Sequence, residues 1–357
     1  MSVKKSILLV GPFPKPVTGL SLANEILYKG LSYHSKVDFI DMSYFKFEED
    51  VGKFNFYKMM YFFILNLKAF NIYNYDSVYI TIGQSFFGVL KYALFFITGK
   101  IFRKRIVIHL HGNQLGKMYE NQSFFKKKLL KSILSLASSG IVISSSLRKN
   151  LFFFLRPEEI FVVDNFVENE LFLLPNEEVK KDYSSLKIAY IGNLMTEKGV
   201  FYLLDALVSL KKQKILFKAK FAGNIDKVVY NKIMRYFDEN ENFEYLGIVR
   251  NKEKKELLLW ANTFVFPSYL VEGLPLSILE AIITRNAIIT TEHPALNDTF
   301  TKNNFYFIEK KSSENIVNAL KEQVASFDEN RINKNYNKVK GFTEMRFVSK
   351  IQQILNL

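Results

Sequence analysis

Short runs rich in β-branched and aromatic residues recur along the chain, each followed by a longer segment whose apolar positions repeat at helical spacing. In the first half the pattern predicts strands at 6–10, 36–41, 77–82, 105–110, 140–143 and 160–163, with helices at 21–31, 55–70, 86–98 and 124–138 between them. A second alternation gives strands at 187–191, 217–222, 243–246, 263–267, 287–290 and 304–308. Its helices fall at 199–210, 227–239, 252–261, 276–284 and 312–327. Alternation of this kind builds mainly parallel sheets flanked by helices, the α/β class. The polar stretch 168–185, with Pro175 and Asn176, breaks the pattern and marks the boundary between domains at 1–170 and 186–335. Beyond Asp328 the chain is rich in Asn and Lys through Asn337, and 342–355 then offers a last amphipathic helix. Two doubly wound sheets facing each other would leave a cleft lined by the carboxyl ends of their strands, where such sheets bind ligands.

Composition narrows the class. A chain of 357 residues is long enough for two domains with separate cores, and 48% hydrophobic with 24% charged residues is a globular balance. Cysteine is absent, which removes disulfides and thiolate metal sites and fits a reducing, cytoplasmic compartment. The basic start, 1–5, is too short for a secretory leader, and the apolar stretches 54–70 and 86–98 fall short of the roughly 20 residues a spanning helix needs. The net charge of +14 raises nucleic acid or an anionic membrane as partners. Residues 1–170 hold 22 Lys and Arg against 13 Asp and Glu, and the clusters 103–105 and 126–128 could touch lipid headgroups peripherally. A composition rich in Lys, Asn, Ile, Phe and Tyr also reflects an AT-rich genome, so basicity alone does not assign nucleic acid as a partner.

The most informative stretch is 268–281, which spaces Glu272 and Glu280 around a helix start. Pro275 suits a first helical turn and Gly273 permits close approach of backbone to a ligand. The amides there can face a phosphate or sugar hydroxyls. Glu280 lies among Leu276, Ile278, Leu279, Ala281 and Ile282, where an unpaired carboxylate would cost on the order of several kcal/mol. A ribose diol would satisfy it; the competing reading is a glutamate that snorkels to solvent.

Taken in order, Ile191-Gly192-Asn193, Glu197-Lys198-Gly199, Phe221-Ala222-Gly223, Leu246-Gly247, Phe266-Pro267-Ser268 and Glu272 through Glu280 resemble a retaining glycosyltransferase of family 4. The resemblance covers essentially the whole chain. It implies the GT-B architecture, two Rossmann-like domains facing a cleft, with the helix at 342–357 crossing back to the first. It implies that Lys198 neutralises a diphosphate leaving group, that Glu272 accepts hydrogen bonds from donor-sugar hydroxyls, and that Glu280 holds the ribose. Gly273, Leu274 and Pro275 would contact sugar or phosphate, and backbone at 248–250 the base. Asn193 stands where many relatives carry an arginine, so one phosphate-binding cation is missing or supplied elsewhere, with Arg250 a candidate. Gly19, in Pro16-Val17-Thr18-Gly19, resembles a glycine-rich turn under the donor phosphates, with Thr18 in place of a first glycine. His111, ending a strand, would lie beside the transferred sugar, with His109 on the same face but deeper.

The implied reaction is transfer of a hexose-type sugar from a nucleoside diphosphate sugar, UDP by default, to a bacterial glycan or lipid-linked glycan, in lipopolysaccharide, O-antigen or capsule. No cofactor is expected. No Asp-any-Asp pair is available for a divalent metal, and two histidines alone make no metal site. The phosphate loop of ATPases and the dinucleotide fingerprint are both missing. A sugar-nucleotide epimerase on the same scaffold is the competing enzyme class.

Overall fold

A computed structural model describes residues 5–14, 17–44, 56–173 and 181–356. Pro16, Pro175, Asn176, the beginning of the stretch 54–70 and the two chain ends lie outside the described residues. The chain divides into two compact units, one of Met1–Asn165, Val271–Leu274 and Glu344–Leu357, the other of Phe166–Leu270 and Pro275–Thr343.

The first unit is built on six parallel strands: β1 (Ser6–Gly11), β2 (Lys36–Asp41), β3 (Ser77–Thr81), β4 (Arg105–Leu110), β5 (Ser139–Val142) and β6 (Ile160–Val162). Their order is β2-β1-β3-β4-β5-β6. Central strands are covered on both faces, which is why Ile7 to Val10 and Ile106 to Ile108 read as unbroken apolar runs. The edge strand β2 instead exposes Lys36, Asp38 and Phe39. The final helix, Glu344–Asn356, belongs to this unit and lies on the helix Gly19–Ser32. Contact there is so close that a Cβ on Gly30 would come within 2.6 Å of Val348. Lys350 bonds Asp164 at 2.9 Å and Arg105 bonds the Ile354 carbonyl at 3.0 Å.

The second unit holds β7 (Leu186–Ile191), β8 (Phe217–Ala222), β9 (Phe243–Tyr245), β10 (Thr263–Phe266), β11 (Ala287–Thr291) and β12 (Tyr306–Ile308). These strands are also parallel and run in the order β12-β11-β10-β7-β8-β9. Strand order reverses between β1 and β3 in the first sheet and between β7 and β10 in the second. Loops leaving the carboxyl ends at those two points are where doubly wound sheets receive ligands.

All twelve predicted strands form, within two residues at either end. Helices depart further from the pattern. The predicted 86–98 splits into Phe86–Leu90 and Ala93–Ile101, and the Asn66 amide takes the Lys91 carbonyl at 2.7 Å. The predicted 55–70 ends its α-helix at Leu67 and continues as a 3-10 segment, Lys68–Asn74. The Asn- and Lys-rich stretch carries a helix, Glu329–Val339, that the pattern did not predict. Asp328 caps it through the Arg331 amide, and only Ile332, Asn335 and Val339 are buried, too sparse a stripe to announce a helix. Among the described residues no helix is long and apolar enough to cross a membrane.

Candidate functional site

The glycines quoted from the sequence gather at the carboxyl ends of the second sheet. Gly192 follows β7, Gly223 follows β8 and Gly247 lies just beyond β9. Backbone bonds lace the three turns together, Gly192 N–H to Ala222 O at 3.0 Å and Gly223 N–H to Gly247 O at 2.7 Å. Asn193, exposed, is held by its carbonyl, which accepts from Tyr190 Oη at 2.9 Å. Beyond it the turn Thr196–Lys198 ends in Gly199, whose φ of +74° is the left-handed region. A Cβ at Gly199 would sit 2.1 Å from the Pro267 carbonyl oxygen, so the loops after β7 and β10 touch at the point where strand order reverses. Lys198 is half-buried there, its Nζ 5.2 Å from the centroid of Phe266. The Tyr269 amide donates to the Glu197 carbonyl at 3.1 Å, fixing the same contact.

Pro275 precedes the helix Leu276–Ile283 in extended conformation, ψ 125°, and therefore stands at its cap and not in its first turn. Glu280 is buried at 4% exposure. The sequence left it without a protein partner. The fold supplies one: Lys254, from the helix Asn251–Trp260, bonds Glu280 at 2.8 Å and also bonds Glu168. Two carboxylates thus share one buried ammonium. Burial raises the Glu280 carboxyl above its ordinary range against the pull of Lys254, with Glu168 adding to the rise. Burial pulls Lys254 down, but the attraction of Glu280 and Glu168 more than reverses it and keeps the ammonium charged. Ribose is not required to neutralise Glu280. Lys254 lies three and four positions before the buried Leu257 and Leu258, on the helix face they bury, and its partners come from other elements.

In the first unit β4 delivers His109 and His111 side by side, ring centroids 3.9 Å apart. Tyr79 Oη lies 2.5 Å from His109 Nδ1. Burial, with His111 adding to it, holds His109 well below its ordinary value, and burial lowers His111 to about 3. Both rings are neutral at physiological pH. Their Nε2 atoms are enclosed without a hydrogen-bond partner. Against this strand end lies the segment Val271–Leu274, placed in the first unit. A Cβ at Gly273 would fall 2.1 Å from the His111 carbonyl oxygen, so only glycine fits, and Asn165 donates to the Leu274 carbonyl at 2.6 Å. His111, Gly273 and Leu274 are therefore brought together, with half-buried Glu272 in the same short segment.

Gly19 opens the helix Gly19–Ser32 and is exposed. Thr18, read as a replacement for glycine, is its N-cap: its hydroxyl accepts from the Ser21 amide at 3.1 Å while Ser21 Oγ accepts from the Thr18 amide at 2.8 Å. Sequence reasoning passed over Asn24, whose amide donates to Pro12 O at 2.8 Å and whose carbonyl accepts from Thr81 at 2.7 Å, tying helix to both strands at the first reversal point. Arg250 is exposed and caps the helix Asn251–Trp260. A polar depression of about 380 Å³ between Lys302, Tyr306 and Glu322 lies along edge strand β12 and includes none of the predicted residues. Among the described residues no group of three His, Asp or Glu is placed to hold a metal ion.

Residues 176–339 match the family model for glycosyl transferases group 1. That segment contains Lys198, Glu272 and Glu280. TuaC of Bacillus subtilis, assigned as a teichuronic acid biosynthesis glycosyltransferase, is 31% identical over 131 residues, 37% of this chain and 31% of TuaC. The alignment thus spans about a third of that relative's length. HepE of Anabaena, solved with UDP, superposes with a TM-score of 0.72 at 17% identity, covering 98% of this chain and 99% of HepE. Sucrose-phosphate synthase of Thermosynechococcus elongatus superposes with a TM-score of 0.75 at 14% identity, covering 99% of this chain and 98% of its own. The likeness is one of fold, and the fold is GT-B: two α/β units, each on a six-stranded parallel sheet.

Proposed function

We propose that the chain is a retaining glycosyltransferase of family 4. It moves a hexose-type sugar from a nucleoside diphosphate sugar, by default a UDP-sugar, to a hydroxyl of a bacterial surface glycan or its lipid-linked precursor. The carrying observation is Lys198 among glycine turns at the β7–β10 reversal point, a place where backbone amides and one cation can receive a diphosphate. The family match over 176–339 and the likeness to TuaC support transfer into cell-surface polysaccharide, and the UDP complex of HepE supports the base. Lipopolysaccharide, O-antigen and capsule are the acceptor classes that follow, with catalysis in the cytoplasm at the inner leaflet.

In this reading the bond from the anomeric carbon to the terminal phosphate oxygen breaks with its electron pair leaving on the diphosphate. Lys198 stabilises that developing charge, the main catalytic term. The acceptor oxygen forms the new bond on the face the phosphate leaves, and its proton passes to the departing phosphate oxygen, so configuration is kept and no metal is needed. Glu272 accepts from sugar hydroxyls, and the Gly273 and Leu274 amides donate to sugar or phosphate. Neutral His111 offers a hydrogen bond, not a charge, beside the sugar. Glu280 meets the ribose with a carboxylate already engaged by Lys254. Asn193 and Gly19 line the phosphates, with Arg250 near the base.

A panel of nucleotide sugars tested for thermal stabilisation decides the donor, because ligand well above its Kd raises the melting temperature by mass action. A UDP-hexose should raise it by several degrees. Failure of every nucleoside diphosphate sugar to move it removes the proposal. Incubating the stabilising donor alone separates the other enzyme class, since an epimerase converts the sugar while a transferase releases nucleoside diphosphate only slowly.

A further inference from the structure

Fifteen of the twenty-six large hydrophobic side chains exposed among the described residues fall between Phe56 and Leu129 of the first unit. The helix Phe56–Leu67 and the segment Lys68–Asn74 present Phe63, Leu67 and Phe70 to solvent at 55%, 48% and 54%. The helix Ala93–Ile101 lies against both and adds Ile101 at 68%. Tyr73 and Phe102 join the two, ring centroids 6.1 Å apart. Next to Ala93–Ile101 the helix Phe124–Leu134 opens with Phe124 and Phe125 at 74% and 82%. Side chains this large left in water forgo the gain of burial, and so many on neighbouring elements make a patch beyond ordinary scatter.

Charge over the same elements is one-sided. Residues 56–134 hold twelve Lys and Arg against two acids, Asp76 and Glu120, a net +10 out of the +14 of the chain. Exposed Lys68, Lys100, Arg103, Lys126, Lys128 and Lys131 stand among the aromatic and aliphatic side chains. A nucleic acid would answer the charge but leave Leu67, Ile97 and Ile101 in water. A second copy of this chain would oppose lysine with lysine. An anionic lipid surface satisfies both features at once, taking the rings into its headgroup–acyl boundary while lysine stems snorkel to phosphates. We infer that the helices of residues 56–74, 93–102 and 124–134 form a docking face for an anionic bilayer. The inference deepens the inner-leaflet placement of the proposed function through other residues, since no residue assigned to sugar or diphosphate lies on these elements.

Cosedimentation of the full chain with vesicles tests it. The chain should partition onto phosphatidylglycerol-containing vesicles at least about tenfold more strongly than onto pure phosphatidylcholine, and high salt should weaken the attachment. Two variants act on separate features, Phe63→Ser/Phe70→Ser/Ile101→Ser on the apolar side chains and Lys126→Gln/Lys127→Gln/Lys128→Gln on the charge. Each should lower partitioning about tenfold while the melting shift given by a nucleotide sugar is kept. The lysine variant touches exposed or half-exposed groups and tests the face even if the apolar variant folds poorly. Equal affinity for both vesicle types, no attachment to either, or attachment unchanged by the lysine variant overturns the inference. So does DNA binding abolished by the lysine variant in a chain that ignores vesicles.

Discussion

Two buried clusters, one in each unit, keep titratable groups out of water in opposite ways. Around Glu280 the second unit stays charged: one ammonium, Lys254, answers two carboxylates. Around His111 the first unit stays neutral: two imidazoles lie close together, tilted by 37°, and Tyr79 occupies a ring nitrogen of the inner one. With its value lowered to about 3, His111 carries no charge near neutrality and is suited to a hydrogen bond beside a sugar. The half that keeps buried charge also contains Lys198 at its strand ends.

Removing the ammonium breaks the contrast most severely. Lys254→Met leaves Glu168 and Glu280 without their counter-ion and should cost about 3–5 kcal/mol, read as a fall in the urea midpoint. Adding Glu168→Gln and Glu280→Gln to that variant should restore much of the loss, because no uncompensated charge then remains. A Lys254→Met chain as stable as the parent would mean that the triad is not formed in solution.

In the neutral cluster the corresponding cut is smaller. Tyr79→Phe deprives the buried His109 Nδ1 of its partner and should cost about 1–3 kcal/mol by the same denaturation experiment. An unaffected midpoint would indicate that the phenol and the imidazole do not meet.

Acid sharpens the comparison because the two clusters respond with opposite sign. His109 and His111 have folded values below the unfolded 6.5, so the unfolded chain binds more protons between those limits. Their contribution is whole above about 6.5 and is lost as pH falls toward 3. Glu280, raised above 4.5, contributes below that value and loses its contribution as pH rises through its folded value. The variant His111→Asn should therefore lose less stability than the parent between pH 6.5 and 4, measured as urea midpoints along the acid limb. A variant and parent of identical acid slope would contradict the burial of His111.

Strand positions were legible because central parallel strands are covered on both faces and leave continuous apolar runs, as at Ile7 to Val10. The helix Glu329–Val339 was not, since Asn335 serves its buried face by bonding the Asn304 carbonyl at 2.7 Å, a contact only the tertiary fold creates. At the site, glycine spacing pointed to the strand ends, and Gly199 and Gly273 prove to be positions where a Cβ would strike a carbonyl. The partner of Glu280 stayed hidden because Lys254 lies in a run of five charged residues, 252–256, that reads as a solvated helix face. Thr18, which stands in place of a first glycine, also serves as a helix cap that the Thr-any-any-Ser spacing encodes.

The claim on which the account rests is that Lys198 stabilises a departing diphosphate at the carboxyl ends of β7 and β10. Lys198→Ala, compared with the parent at saturating nucleotide sugar and matched melting temperature, tests it by turnover. The account predicts a fall of about 100-fold or more, the effect of deleting one donor aimed at developing charge. Turnover equal to that of the parent would contradict it.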